Sequence, residues 1–187
     1  HTLRLIFSIV CLLLVLPCQA ATKLKVQDEI GYFVSDGQST IERYDFATAS
    51  WLTPIVLVSA PTAYAVSPSK IFVAYGRRLE QMNRDGSDKT FLNNAATDVI
   101  DLMLDGDVLF ANRSNGLYAY FTSYNALNGA PINDVNNYPH SAIGSSICTA
   151  TNKMFGRSSG VSPSDIVSVS YNDAGQLLSI VDSNYHG

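Results

Sequence analysis

Cysteine is scarce in this chain. Of three in 187 residues, Cys11 and Cys18 sit in or beside an apolar leader, which leaves Cys148 as the one thiol securely within the body of the protein. That count excludes an intramolecular disulfide framework, and a chain of this length can bury a core without one. Positive charge is also short, with twelve Lys and Arg against sixteen Asp and Glu, and no stretch concentrates the basic residues. Neutralising phosphates requires such a concentration, so nucleic acid is excluded as an expected partner. After the leader there is no long stretch with helical apolar spacing and no apolar run approaching the ~20 residues of a membrane-spanning helix, so no span is expected in the mature chain.

The leader itself reads as an export signal. Arg4 precedes "LIFSIVCLLLVLP", and the small-residue end "CQA" precedes Ala21, the layout of a cleaved secretory signal over residues 1–20. Export to the periplasm, the cell surface or the medium is the expectation. Cleavage before Cys18 with acylation of that cysteine is a second route, although Pro17 stands where a lipoprotein signal has a small residue. Removing residues 1–20 leaves eleven basic and sixteen acidic residues, a formal charge of about −5.

What the mature region does contain is a series of short alternating runs rich in Val, Ile, Phe and Tyr, punctuated by Asp36-Gly37, Asp85-Gly86, Asp105-Gly106, Asn115-Gly116 and Asn128-Gly129. Alternation bounded by such dipeptides predicts strands joined by tight turns. The runs also repeat. Phe33, Phe72, Phe110 and Phe155 are spaced by 39, 38 and 45 residues; Ile41, Leu79, Leu117 and Ile166 by 38, 38 and 49, and Tyr44, Met82, Tyr120 and Val169 keep that second spacing. A unit of about 40 residues holding four strands is the signature of a β-propeller blade, and the apolar columns are then packing residues. The expected units are 23–61, 62–99, 100–144 and 145–187. On the same register Cys148 aligns with Val26, Ala65 and Met103, which predicts a buried core thiol.

The segment "LEQMNRDGSDKTFL" resembles the strand, "DGS" turn and following strand of extracytoplasmic propeller repeats of the TolB-like, YWTD and YVTN types. The resemblance implies an all-β propeller of exported proteins and names no activity. Families of this kind commonly carry six to eight blades, and the chain starts at His1 and stops at "SNYHG". The expectation is therefore an incomplete propeller, with the remaining blades of a larger chain as its partners; a self-contained four-bladed ring is the alternative.

Candidate chemistry is thin. "MNRDGSDKTF" gathers Asn83, Asp85 and Asp88 around a glycine, but Gln81 occupies the first ligand position of a calcium loop and no glutamate closes it, so a hairpin turn is expected. Asp105-Gly106-Asp107 reads as a solvated turn. His140 lies among serines without a nucleophile elbow, which leaves no Ser-His-Asp constellation. Asn112-Arg113-Ser114 matches a glycosylation sequon, relevant only to a eukaryotic secretory pathway. No catalytic, cofactor or metal residue is assigned. The extra length in "NALNGAPINDVNNYPHSAIGSS" and "GRSSGVSPSD" predicts insertion loops, which in repeat folds often carry binding. Tyr124, Tyr138 and His140 are the candidate interaction residues there. Together these readings point to an exported propeller that binds or scaffolds a protein or glycan partner. The alternative is a fragment of a propeller lyase, hydrolase or quinoprotein whose site is completed by other blades.

Overall fold

The computed structural model describes residues 23–115, 119–138, 141–148, 151–159 and 166–183. Within them lie sixteen strands and no α-helix, arranged as four antiparallel sheets of four strands, each built in simple up-and-down order. The expected signal segment, residues 1–20 with Cys18, lies outside the described residues. Among the described residues no helix is long and apolar enough to cross a membrane. The chain divides into two compact units, 1–60 and 61–187.

The first unit carries β1 (Lys23–Gln27), β2 (Ile30–Val34), β3 (Thr40–Asp45) and β4 (Ser50–Val56). Asp28 and Glu29, with φ of 50° and 61°, close β1 onto β2 in a two-residue turn of the type that matches strand twist. Asp45 closes β3 onto β4 by accepting the backbone N–H groups of Ala47 and Thr48 at 2.8 and 3.2 Å. Both faces of this sheet are apolar. Tyr32, Val34, Ile41 and Ile55 are buried on one. The other is organised by rings, with Phe33 and Trp51 centroids 5.8 Å apart and Tyr44 and Trp51 5.1 Å apart.

The second unit holds three sheets: β5 (Ala63–Val66), β6 (Lys70–Tyr75), β7 (Arg78–Asn83) and β8 (Thr90–Asn94); β9 (Asp98–Asp105), β10 (Val108–Ser114), β11 (Ala119–Asn125) and β12 (Pro131–Tyr138); β13 (Ser141–Cys148), β14 (Lys153–Ser159), β15 (Ile166–Tyr171) and β16 (Leu177–Ser183). The first strands β5, β9 and β13 run against one another in succession. Ala63, Ala65, Phe72, Ala74 and Leu79 of one sheet pack on Leu102, Leu109, Ala111 and Tyr124 of the next. Met103, Phe110 and Phe121 on that sheet's other face pack on Met154, Val169, Tyr171 and Leu177, with the Phe110 and Tyr171 rings 4.6 Å apart. Sheets covered on both faces by further sheets, at alternating apolar positions, are the packing mode of propeller blades.

Each repeated phenylalanine falls on the second strand of its sheet. Phe33, Phe72 and Phe110 are buried and Phe155 is half-buried. The expected insertion loop is corrected by the structure. Most of "NALNGAPINDVNNYPHSAIGSS" forms the eight-residue strands β12 and β13, whose backbone groups are satisfied by pairing with β11 and β14. The "GRSSGVSPSD" stretch falls largely outside the described residues. Cys148 ends β13; nothing of its side-chain surroundings is described.

Candidate functional site

Two recesses open at opposite ends of the contact between the second and third sheets. The first, about 380 Å³, is lined by the 67–70 turn, Phe72, Gln81, Leu104, Gly106, Asp107, Ala126 and Leu127. Its walls are turns stiffened by their own side chains. Ser67 Oγ accepts the N–H of Lys70 at 2.9 Å, and its N–H donates to the Lys70 carbonyl at 2.8 Å. Lys70 Nζ is braced on Asn83 Oδ1 at 2.7 Å, and Arg84 Nη1 donates to the Pro68 carbonyl at 3.1 Å. Across the opening, the N–H of Ala126 donates to the Asp107 carbonyl at 2.8 Å, which ties the β11–β12 turn to the β9–β10 turn.

The floor is made by Phe72, Leu104 and Ala126, and the rim by Lys70, Gln81 and Asp107. Leu127 stands at the lip with 70% of its surface exposed. A concave apolar floor with a few polar groups around it is the composition of a site that takes one apolar group and orients it.

The second recess is wider and polar, lined by Arg77, Thr97, Asp98, Ile100, Ser114 and Asn115. Arg113 lies beneath it, 1% exposed, with Nε donating to Thr122 Oγ1 at 2.7 Å and the guanidinium 5.4 Å from the Tyr120 ring centre. Such enclosure locks the arginine into the sheet as a structural cation.

The acidic turns identified in the sequence are occupied with their own geometry. Asp85 Oδ1 accepts the N–H and Oγ–H of Ser87 at 2.9 and 2.6 Å, and Asn83 Nδ2 donates to Asp88 Oδ2 at 2.7 Å. Gly86 and Asp88, with φ of 90° and 51°, reverse the chain between β7 and β8. Asp105 Oδ2 accepts the phenol of Tyr171 at 2.8 Å, so this carboxylate joins the third and fourth sheets. Among the described residues, no group of three His, Cys, Asp or Glu converges as a metal site would require.

Of the candidate interaction residues, Tyr124 and Tyr138 fall within the described strands. Tyr124 lies on β11, 3% exposed, inside the core between the second and third sheets. Tyr138 ends β12 opposite Ala119, at the far end of the hairpin from Tyr124, which pairs with Pro131. His140 lies outside the described residues. Sequence reading missed the first recess because its walls come from turns distant in sequence. Leu127 was the available signal, an apolar side chain in a turn otherwise made of Asn, Gly and Ala.

No family model matches the chain, and no curated protein does. Among solved structures, hydrazine synthase of Kuenenia stuttgartiensis is similar over 90% of this chain at 9% identity, with a TM-score of 0.70. A chain of the mitotic checkpoint complex is similar over 86% at 12% identity and a TM-score of 0.67. This protein spans 50% of the length of each. The computationally designed Ika4 protein is similar over 81% of this chain and 92% of its own, at 15% identity and a TM-score of 0.61. Likeness at such identities is one of fold, and it agrees with the packed four-stranded sheets: the chain is built of β-propeller blades.

Proposed function

We propose that this protein is an exported β-propeller module that binds a protein partner by taking an apolar side chain of an extended segment into the recess between its second and third sheets. The observation that carries this reading is the recess itself, with its Phe72, Leu104 and Ala126 floor and Leu127 exposed at the lip. A protein partner is favoured over a glycan because the one aromatic lining residue, Phe72, is buried in the floor and offers no exposed platform for a sugar ring. Export rests on the leader at residues 1–20.

Burying one large apolar side chain contributes about 1.5–3 kcal/mol, a factor of roughly ten to a hundred in affinity. Panning a displayed library of unstructured peptides against the full chain tests the idea. Enriched peptides should share one large apolar residue and bind the Leu127→Asp variant at least about tenfold more weakly. Equal binding to wild type and variant would remove the recess from the reading. Fusing residues 1–21 to a reporter active only outside the cytoplasm tests export separately.

A further inference from the structure

The first sheet wears its apolar side chains on the wrong side for a blade left alone. Register places Leu24, Phe33 and Glu42 in one row, Val26, Gly31, Tyr44 and Trp51 in the next, and Thr40 beside Val56, all on one face. Leu24, Val26, Trp51 and Val56 there are 49, 58, 48 and 65% exposed, around the ring cluster of Phe33, Tyr44 and Trp51. In the second and third sheets apolar residues are buried on both faces. A contiguous apolar face of this kind marks an interaction surface.

The fourth sheet offers a fitting counterpart. The face opposite Met154 and Val169 presents Lys153, Phe155, Ser168, Ser170 and Ser179. Among the described side chains of that face Phe155 stands beside serines, and in the second sheet Phe72, with Leu79 and Leu92, stands beside Ala63, Ala65 and Ala74 opposite the bulky Leu102, Leu109 and Tyr124. Serines leave room for Trp51 and Phe33 as those alanines do for leucine and tyrosine. Glu42, within the apolar face, is matched by the exposed Lys153.

We infer that the exposed face of the first sheet is a docking surface for the fourth sheet of a second copy of this chain, a head-to-tail contact that repeats between molecules the sheet-on-sheet packing seen within the second unit.

Trp51 is the single tryptophan of the chain, so its emission reads this face directly. Sedimentation equilibrium on the full chain should show reversible self-association, with Trp51 emission moving to shorter wavelength as concentration rises. Glu42→Lys and Lys153→Glu should each weaken association at least about tenfold, and the double exchange should restore most of it. Restoration separates a lost contact from a damaged fold. A monomer throughout the concentration series overturns the inference. So does association indifferent to both reversals, or hydrogen-exchange protection confined to the first sheet with none on β14 and β15, which would mean that first sheets face one another.

Discussion

Replacing Gly129 by alanine is the sharpest test of how the sheets of the second unit are held. Gly129 sits in the β11–β12 turn at φ +72°, and a Cβ there would lie 2.4 Å from the Leu92 carbonyl oxygen and 2.7 Å from Leu92 Cγ, on the outer strand of the neighbouring sheet. The Gly129 carbonyl also accepts a hydrogen bond from Asn93 Nδ2 at 2.6 Å. The left-handed backbone alone costs a side chain about 1 kcal/mol. Backbone cannot rotate out of the way as a side-chain tip can, so the turn must lift off β8, losing the Asn93 bond, about 1 kcal/mol, and a similar amount of packing around Leu92. The expected total is about 3 kcal/mol. Gly106→Ala is the internal control, because φ is +53° and nothing lies within 4 Å of the added Cβ; it should cost only the backbone term of about 1 kcal/mol. Equilibrium urea unfolding of the two variants should therefore place Gly129→Ala about 1 M lower in midpoint than Gly106→Ala. Asn93→Ala should add little in the Gly129→Ala background. Coincident midpoints for the two glycine variants would refute the argument that the turn is pressed against the adjacent sheet.

Gly175→Ala should fall between them, since its φ is +77° and the obstructing atom, Val108 Cγ1 at 2.6 Å, belongs to a side chain; the same urea series ranks it. Tyr171→Phe removes the hydrogen bond to Asp105 while keeping the ring on Phe110, and should lower unfolding stability by about 1 kcal/mol. Phe110→Ala empties a site 1% exposed between the third and fourth sheets and should cost about 3–5 kcal/mol, read by thermal or urea unfolding. Hydrogen bonds from the Thr48 side chain and the Thr48 and Ala47 backbone hold the Asp45 carboxyl below the ordinary aspartate range, against the opposing effect of desolvation. A depressed folded pKa means that this contribution is present above the unfolded value and lost as pH falls through the folded one. A carboxyl NMR titration should therefore find Asp45 titrating below a typical aspartate, and Thr48→Ala should move it upward.

The strand content and the blade repeat were legible because each sheet alternates large apolar residues with turn dipeptides that have few other conformations open to them. Gly37, Gly86, Gly106 and Gly129, each following an Asp or Asn, all take positive φ in turns. Phase was harder to read. Phe33 aligns with Phe72 and Phe110 by spacing, yet its face carries the exposed Leu24 and Trp51, while the neighbours Tyr32 and Val34 lie on the sheet's buried face. A two-residue turn joins β1 to β2 where a three-residue turn, Ser67–Ser69, joins β5 to β6, and a shift of one residue exchanges the faces of a strand. Periodicity of composition cannot register that exchange. The extra residues near Tyr138 lengthened strands instead of opening a loop: Asn133, Asp134 and Val135 pair with Ser123, Thr122 and Phe121 of β11, and Tyr138 with Ala119. The recess was illegible for a different reason: Ser67, Leu104 and Leu127 meet only once two sheets have packed.

The bonds that join successive sheets differ in kind. The second and third are tied by an amide to a turn carbonyl, Asn93 to Gly129, and the third and fourth by a phenol to a carboxylate, Tyr171 to Asp105. Blades of one ancestry are often treated as interchangeable bricks, but these joints are keyed. A chain with its third and fourth blades exchanged would set each donor against a partner it was not shaped for, so the order of the blades is written into their edges as well as into the path of the backbone.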